Sequence, residues 1–233
     1  MPRRTLTRRV RSRLPHPDVR ERYLRYFDSK TLFWSPEQLP PLDSPHLFGD
    51  RRPLQLEIGC GTAEVLCALA REHPHTNYVG VDIAAKPLLK AVATAAALAL
   101  PNIVFIKGDF TRMYPLLVPG ALEAVYLHFP DLHMRQRFRK RRVLTPAFLD
   151  AIERALAPCG RLSFATDHRE FFAEMLELLE SDARFEKAHA ERFLVGLDGP
   201  VRSRFQRIWE RHGLPTLRVE LRKAHALAER EWP

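Results

Sequence analysis

The chain has 233 residues, enough for one α/β domain with a full core and a short extension. Its 45% apolar content is ordinary for a globular protein, but 37 basic against 28 acidic residues leave a net charge of +9, which favours a polyanionic partner. The longest apolar run, residues 91–100, is too short to span a bilayer, and three cysteines, an odd count without zinc-ligand spacing, argue against a disulfide framework and a cysteine metal centre.

In chain order, residues 1–14 are Arg-rich and free of acids, with Arg3, Arg4, Arg8, Arg9, Arg11 and Arg13. An organellar transit peptide has this composition too. A nucleic-acid-binding arm is the better reading, because a second basic cluster lies deep in the domain. Residues 18–27 are predicted as a short helix and residues 35–45 as a Pro-rich connector. Residues 1–50 thus read as a basic extension and residues 51–233 as the main domain. From residue 52 strands and helices alternate. Strands are predicted at 53–58, 77–83, 103–107, 122–129, 161–165 and 217–221, and helices at 62–72, 87–100, 146–156 and 169–180. That alternation means a largely parallel sheet with helices on both faces.

The first strand carries Glu57 and runs into Gly59-Cys60-Gly61-Thr62-Ala63. Two glycines there let the backbone turn tightly and approach a ligand beyond the carboxyl end of the strand. A dinucleotide site would show a third glycine, where this chain has Ala63, and Glu57 would repel a phosphate. A cationic ligand with an ammonium and a sulfonium, S-adenosylmethionine, suits that carboxylate better than NAD. The second strand ends at Asp82, placed to accept the hydroxyls of a ribose, and the third is followed by Asp109, placed to accept from an adenine amino group. Taken singly, each acid reads more readily as a solvated residue or a helix cap, but three acids at the ends of successive strands are hard to assign to chance.

The fourth strand leads through His128-Phe129-Pro130 to Asp131, where a cofactor methyl would meet its acceptor. Then comes Arg135, followed by Arg137-Phe138-Arg139-Lys140-Arg141-Arg142, a basic run with one aromatic and no interspersed acid. Such a run binds phosphates and can stack a base, although charge runs are more often solvated faces. An Asn or Asp followed by Pro-Pro and an aromatic is absent, which argues against methylation of an exocyclic adenine amine. Ten histidines are scattered, and the pairs His73/His75 and His128/His133 have nothing to complete a metal site, so no metal is expected.

These motifs in this order resemble the tRNA (guanine-N7)-methyltransferases of the TrmB type. The resemblance rests on Glu57-Ile-Gly-Cys-Gly, on residues 126–131, on Lys140-Arg-Arg with Thr145-Pro146 and Phe148-Leu149, and on Phe164-Ala-Thr-Asp167. It implies a Rossmann-like class I methyltransferase fold, a seven-stranded mostly parallel sheet with its last strand antiparallel. It also implies cofactor contacts at Glu57, Gly59, Gly61, Asp82, Asp109 and Asp131, with Asp131 catalytic. Arg135, Asp167, Ser203, Phe205 and Gln206 correspond to substrate contacts, and Arg137 to Arg142 to the RNA-contacting stretch. The chain departs from the family pattern at Thr62, Ala63, His128, Leu132-His133-Met134 and Ser203-Arg204-Phe205-Gln206.

The expected activity is methyl transfer from S-adenosylmethionine to guanine N7 in tRNA, in a cytoplasmic protein with reduced thiols; monomer and homodimer stay open. Rival readings are a class I methyltransferase acting on another RNA, a protein or a small molecule, and a non-catalytic RNA-binding relative. A nicotinamide dehydrogenase fits worst, because it leaves Asp131 and the basic run without a role.

Overall fold

The computed structural model describes residues 13–130, 143–197 and 202–224. Among the described residues its centre is a nine-stranded sheet. Five strands, β2 (Leu54–Ile58), β3 (Asn77–Asp82), β4 (Ile103–Lys107), β5 (Leu122–His128) and β6 (Leu156–Thr166), run parallel in the order β4-β3-β2-β5-β6. β9 (Leu217–Lys223) is antiparallel to β6 and carries β7 (Phe185–Lys187) and β8 (Leu194–Val195) as antiparallel partners. At the far edge β1 (Leu24–Tyr26) pairs in parallel with β4. The sheet therefore has two strands more than the seven expected, β1 and β8.

Central strands of a parallel sheet are covered on both faces, and their sequences show it: Leu54, Leu56, Val79, Val81, Phe105, Val125 and Phe164 are all buried. One face packs against α4 (Glu64–Glu72) and α5 (Ala85–Ala97), together with α1 (Pro17–Tyr23), whose Tyr23 belongs to that core. The other face packs against α7 (Pro146–Ala155) and α8 (Arg169–Glu180) through Phe148, Ile152, Phe171 and Phe172. α2 (Ser29–Trp34), α3 (Ser44–Phe48) and α6 (Phe110–Met113) complete the rim, and α9 (Arg204–Arg211) precedes β9.

The N-terminal segment differs from the sequence expectation. The helix predicted at 18–27 ends at Tyr23, and Leu24–Tyr26 extend to pair with Phe105–Lys107. Backbone pairing with β4 outweighs the local helical pattern. Within the Pro-rich connector Asp43 accepts from the His46 N–H at 2.9 Å and Pro45 enters the first turn, so α3 forms there. Leu32, Leu39 and Leu42 reach the main core. Farther on, the strand predicted at 161–165 begins at Leu156, directly where α7 ends.

The strand order reverses at β2, whose neighbours are β3 and β5. A crevice at the carboxyl ends of such a pair is where open α/β sheets bind ligands.

Candidate functional site

The cleft at that switch point is lined by the end of β2, the turn to α4, the ends of β3 and β5, and the start of α9. Its side chains include Glu57, Thr62, Glu64, Asp82, His128 and Ser203. The turn is held open by backbone conformation: Gly59, Gly61 and Ala63 have φ of 75°, 57° and 51°, the left-handed region. The N–H groups of Gly59 and Cys60 both donate to the Val81 carbonyl, at 2.7 and 3.1 Å, pinning the turn to β3. Gly80 opposite is needed for space, since a Cβ there would lie 2.8 Å from Cys60 Sγ and 3.0 Å from the Phe105 ring.

Glu57 Oε2 is buried and has no hydrogen-bond partner among the described residues. Desolvation, then the nearby charges of Glu64 and Asp82, push its carboxyl up to about 8. A buried carboxylate oxygen left unpaired is costly, and a bound cation or ammonium donor removes that cost. Glu64 is fixed beside it by the Thr62 hydroxyl, which donates at 2.7 Å, and Arg207 Nη2 on α9 donates to Glu64 at 3.5 Å. Three carboxyls around one turn suit a positively charged ligand and oppose a phosphate.

Asp82 reaches back across the cleft floor. Its Oδ2 accepts from the Gly61 N–H at 2.8 Å and its Oδ1 from the Ala84 N–H at 2.7 Å. Burial raises its carboxyl above the ordinary range. Asp109 stands at the end of β4 but outside the cleft lining: its Oδ1 caps α6, accepting from Thr111 N–H at 3.0 Å and Thr111 Oγ1 at 2.7 Å. Ser203 joins the cleft as the cap of α9, accepting from the Gln206 N–H at 3.1 Å. Gln206 is buried, donating to Glu210 at 3.1 Å, and Asp167 is buried directly after β6. The backbone of Phe205 lies in α9. Asp131, Arg135, Arg137, Arg139, Lys140, Arg141 and Arg142 lie outside the described residues.

Two features of the cleft were not legible as site features in the sequence. Phe129 has a φ of 51° and turns out of β5 with its N–H on the Ala165 carbonyl at 2.7 Å; a bulky side chain in that region is strained, and such strain gathers at functional sites. His128 is tied by Nε2 to Ser163 Oγ at 2.7 Å, and that hydroxyl donates to Glu220 Oε1 at 2.7 Å. The arrangement fits a neutral imidazole with its proton on Nε2. Desolvation and then the Arg218 charge push its pKa down to about 4.

Among the described residues no group of His, Cys, Asp and Glu could hold a metal ion, and no helix is long and apolar enough to cross a membrane.

Comparison with known proteins places this geometry. A family model described as "Putative methyltransferase" matches residues 51–215. A tRNA (guanine-N(7)-)-methyltransferase of Rubrobacter xylanophilus is 51% identical over 91% of this chain and 96% of its own length. One of Chloroflexus aurantiacus is 40% identical over 88% of this chain and 92% of its own. Among solved structures, TrmN from Thermus thermophilus superposes with a TM-score of 0.53 at 19% identity, covering 74% of this chain and 45% of that one. An antibiotic related methyltransferase gives 0.53 at 15%, covering 75% and 90%. The likeness to these structures shows a methyltransferase fold, and the sequence match is more specific: the chain belongs to the tRNA (guanine-N(7)-)-methyltransferase family.

Proposed function

We propose that this protein transfers the methyl group of S-adenosylmethionine to N7 of a guanine in tRNA. The observation that carries the reading is the buried, unpartnered carboxyl of Glu57 in an acid-lined cleft at the switch point of a methyltransferase fold. It suits the ammonium of the cofactor. Asp82, which also holds the Gly61 turn, is assigned to the ribose, and Asp109, at the end of β4, to the adenine side. The tRNA substrate follows the Rubrobacter and Chloroflexus relatives, which are tRNA (guanine-N(7)-)-methyltransferases, and the +9 charge agrees with it.

The bound cofactor supplies an electrophilic methyl on sulfur. Guanine N7 has an exposed lone pair and no proton, so the chain need not supply a strong base. Its task is alignment, and positioning of this kind is worth about 7–11 kcal/mol of barrier. As positive charge grows on the purine, a carboxylate beside it is stabilising and accepts from guanine N1 or N2; Asp131 and Asp167 are assigned that duty, with Asp131 catalytic. Arg135, Ser203, Phe205 and Gln206 are assigned to the target nucleotide. Arg137, Arg139, Lys140, Arg141 and Arg142 are assigned to tRNA phosphates. The test is transfer of a labelled methyl group from the cofactor to unfractionated tRNA lacking the modification. Label in the RNA is expected, and label only in added protein or small molecules would refute the reading.

A further inference from the structure

Three aromatic side chains stand in solvent on the carboxyl rim of the sheet, outside the cofactor cleft. Tyr26, Phe33 and Trp34 are 62%, 57% and 78% exposed. Core packing does not account for them. α2 buries Leu32 and leaves Phe33 and Trp34 outward, and β1 ends at Tyr26. Phe33 and Trp34 meet edge to face, with centroids 4.7 Å apart and planes at 87°.

Two of the three rings have a cation against them. Lys107 Nζ lies 4.5 Å from the centroid of Tyr26, and the Arg112 guanidinium 5.4 Å from that of Phe33. Two of the nearby acids, Asp28 and Asp109, are occupied as helix caps: Asp28 accepts from the Thr31 N–H at 2.7 Å and Asp109 from Thr111; Glu37, in the turn after Trp34, is exposed. Cations held at exposed aromatic faces are poorly matched to a plain apolar protein contact. They match single-stranded nucleic acid, whose bases offer faces for stacking and whose phosphates offer counter-charge.

Register ties the patch to the cleft. Tyr26 is paired with Lys107, and Lys107 with Asp82, so the three lie in one row across β1, β4 and β3. Two strand spacings put Tyr26 about 10 Å from Asp82 along the sheet, within reach of a nucleotide close to one held in the cleft.

We propose that Tyr26, Phe33 and Trp34, with Lys107 and Arg112, form a stacking platform for unpaired bases of the tRNA substrate. The proposal rests on the tRNA reading above and adds a second RNA-contacting surface, on the opposite flank of the cleft from β6 and β9.

The test compares full-length wild type with Trp34→Ala, Tyr26→Ala and the aromatic replacement Trp34→Phe. It measures tRNA affinity and the KM and kcat of methyl transfer at fixed salt, with S-adenosylmethionine affinity, melting temperature and oligomeric state as controls. Loss of one stacked base weakens tRNA binding about tenfold. The alanine variants are expected to raise KM for tRNA by that factor with kcat and cofactor affinity kept, and Trp34→Phe to restore most of the loss. Wild-type tRNA affinity and KM in both alanine variants would overturn the platform and leave the tRNA reading intact. A fall in affinity that tracks dissociation of an oligomer would also overturn it, making the patch a subunit contact. A wild-type protein with no affinity for tRNA would overturn both.

Discussion

The Asp82 carboxylate accepts from the Gly61 backbone N–H at 2.8 Å, so an acid at the end of one strand fixes the glycine turn at the end of its neighbour. Its second oxygen does the same for Ala84. Asp82→Ala orphans both donors. The expected cost is about 1–3 kcal/mol of stability and at least a tenfold loss of S-adenosylmethionine affinity, read by urea unfolding and calorimetry. Unchanged cofactor affinity in this variant would show that Asp82 neither shapes the turn nor meets the ligand.

Glu57 is mostly protonated at pH 7 in the ligand-free protein, because its carboxyl is pushed up to about 8. A bound ammonium requires the ionised form, so cofactor binding at pH 7 releases about one proton. Calorimetry in buffers of different ionisation enthalpy reads this directly, and Glu57→Gln abolishes it together with tight binding.

The same shift has a stability sign. The folded state holds a proton that the unfolded state has lost between about pH 4.5 and 8, so this group's contribution to stability falls as pH rises through that window. Glu57→Gln is therefore expected to stabilise the ligand-free protein at pH 7, by about 3 kcal/mol, and to change little at pH 4.5. Destabilisation at pH 7 would contradict the assignment.

Ala63 is buried with a φ of 51°. The left-handed conformation costs an L-residue about 1–2 kcal/mol, and removal of one buried methyl costs about 0.8 kcal/mol. Ala63→Gly is thus expected to fold with equal or slightly higher stability and to keep cofactor affinity. Ala63→Val adds a β-branched side chain to a conformation that disfavours it and is expected to lower the melting temperature sharply. If valine is tolerated, the turn geometry is wrong.

His128, with its pKa pushed down to about 4, stays neutral at the working pH. The unfolded state binds a proton near pH 6.5 that the folded state refuses until about pH 4. Stability from this residue is therefore lost as pH falls through that window, opposite in sign to Glu57. His128→Asn is expected to flatten the acid side of the melting-temperature profile while methyl transfer persists. An acid limb in kcat near pH 6.5 that vanishes in this variant would instead give the imidazole a proton-transfer role.

Much of the site was legible because its signals are local. An apolar run ending in Gly59 marked β2, an apolar run ending in Asp82 marked β3, and Glu57 and Asp82 fell beside the turn as the spacing predicts. What stayed hidden depends on distant contacts. Leu24–Tyr26 is a strand only because β4, some eighty residues later, offers an edge. Asp109 precedes Phe110-Thr111, a pattern that serves a helix cap as well as a ligand contact, and in the ligand-free protein the cap wins. Gly80 reads as an ordinary strand residue until Cys60 and Leu66 are packed over it. The sequence marks Ser203 to Gln206 without showing a helix there; in the structure Ser203 caps α9, whose Arg207 donates to Glu64 beside the cleft.

The most direct test of the account is the identity of the nucleoside formed when the protein is incubated with S-adenosylmethionine and unmodified tRNA. The account predicts 7-methylguanosine by mass spectrometry, with cleavage of the RNA chain at that site by borohydride and aniline. A methylated base other than 7-methylguanosine, or none in the presence of bound cofactor and bound tRNA, would contradict it.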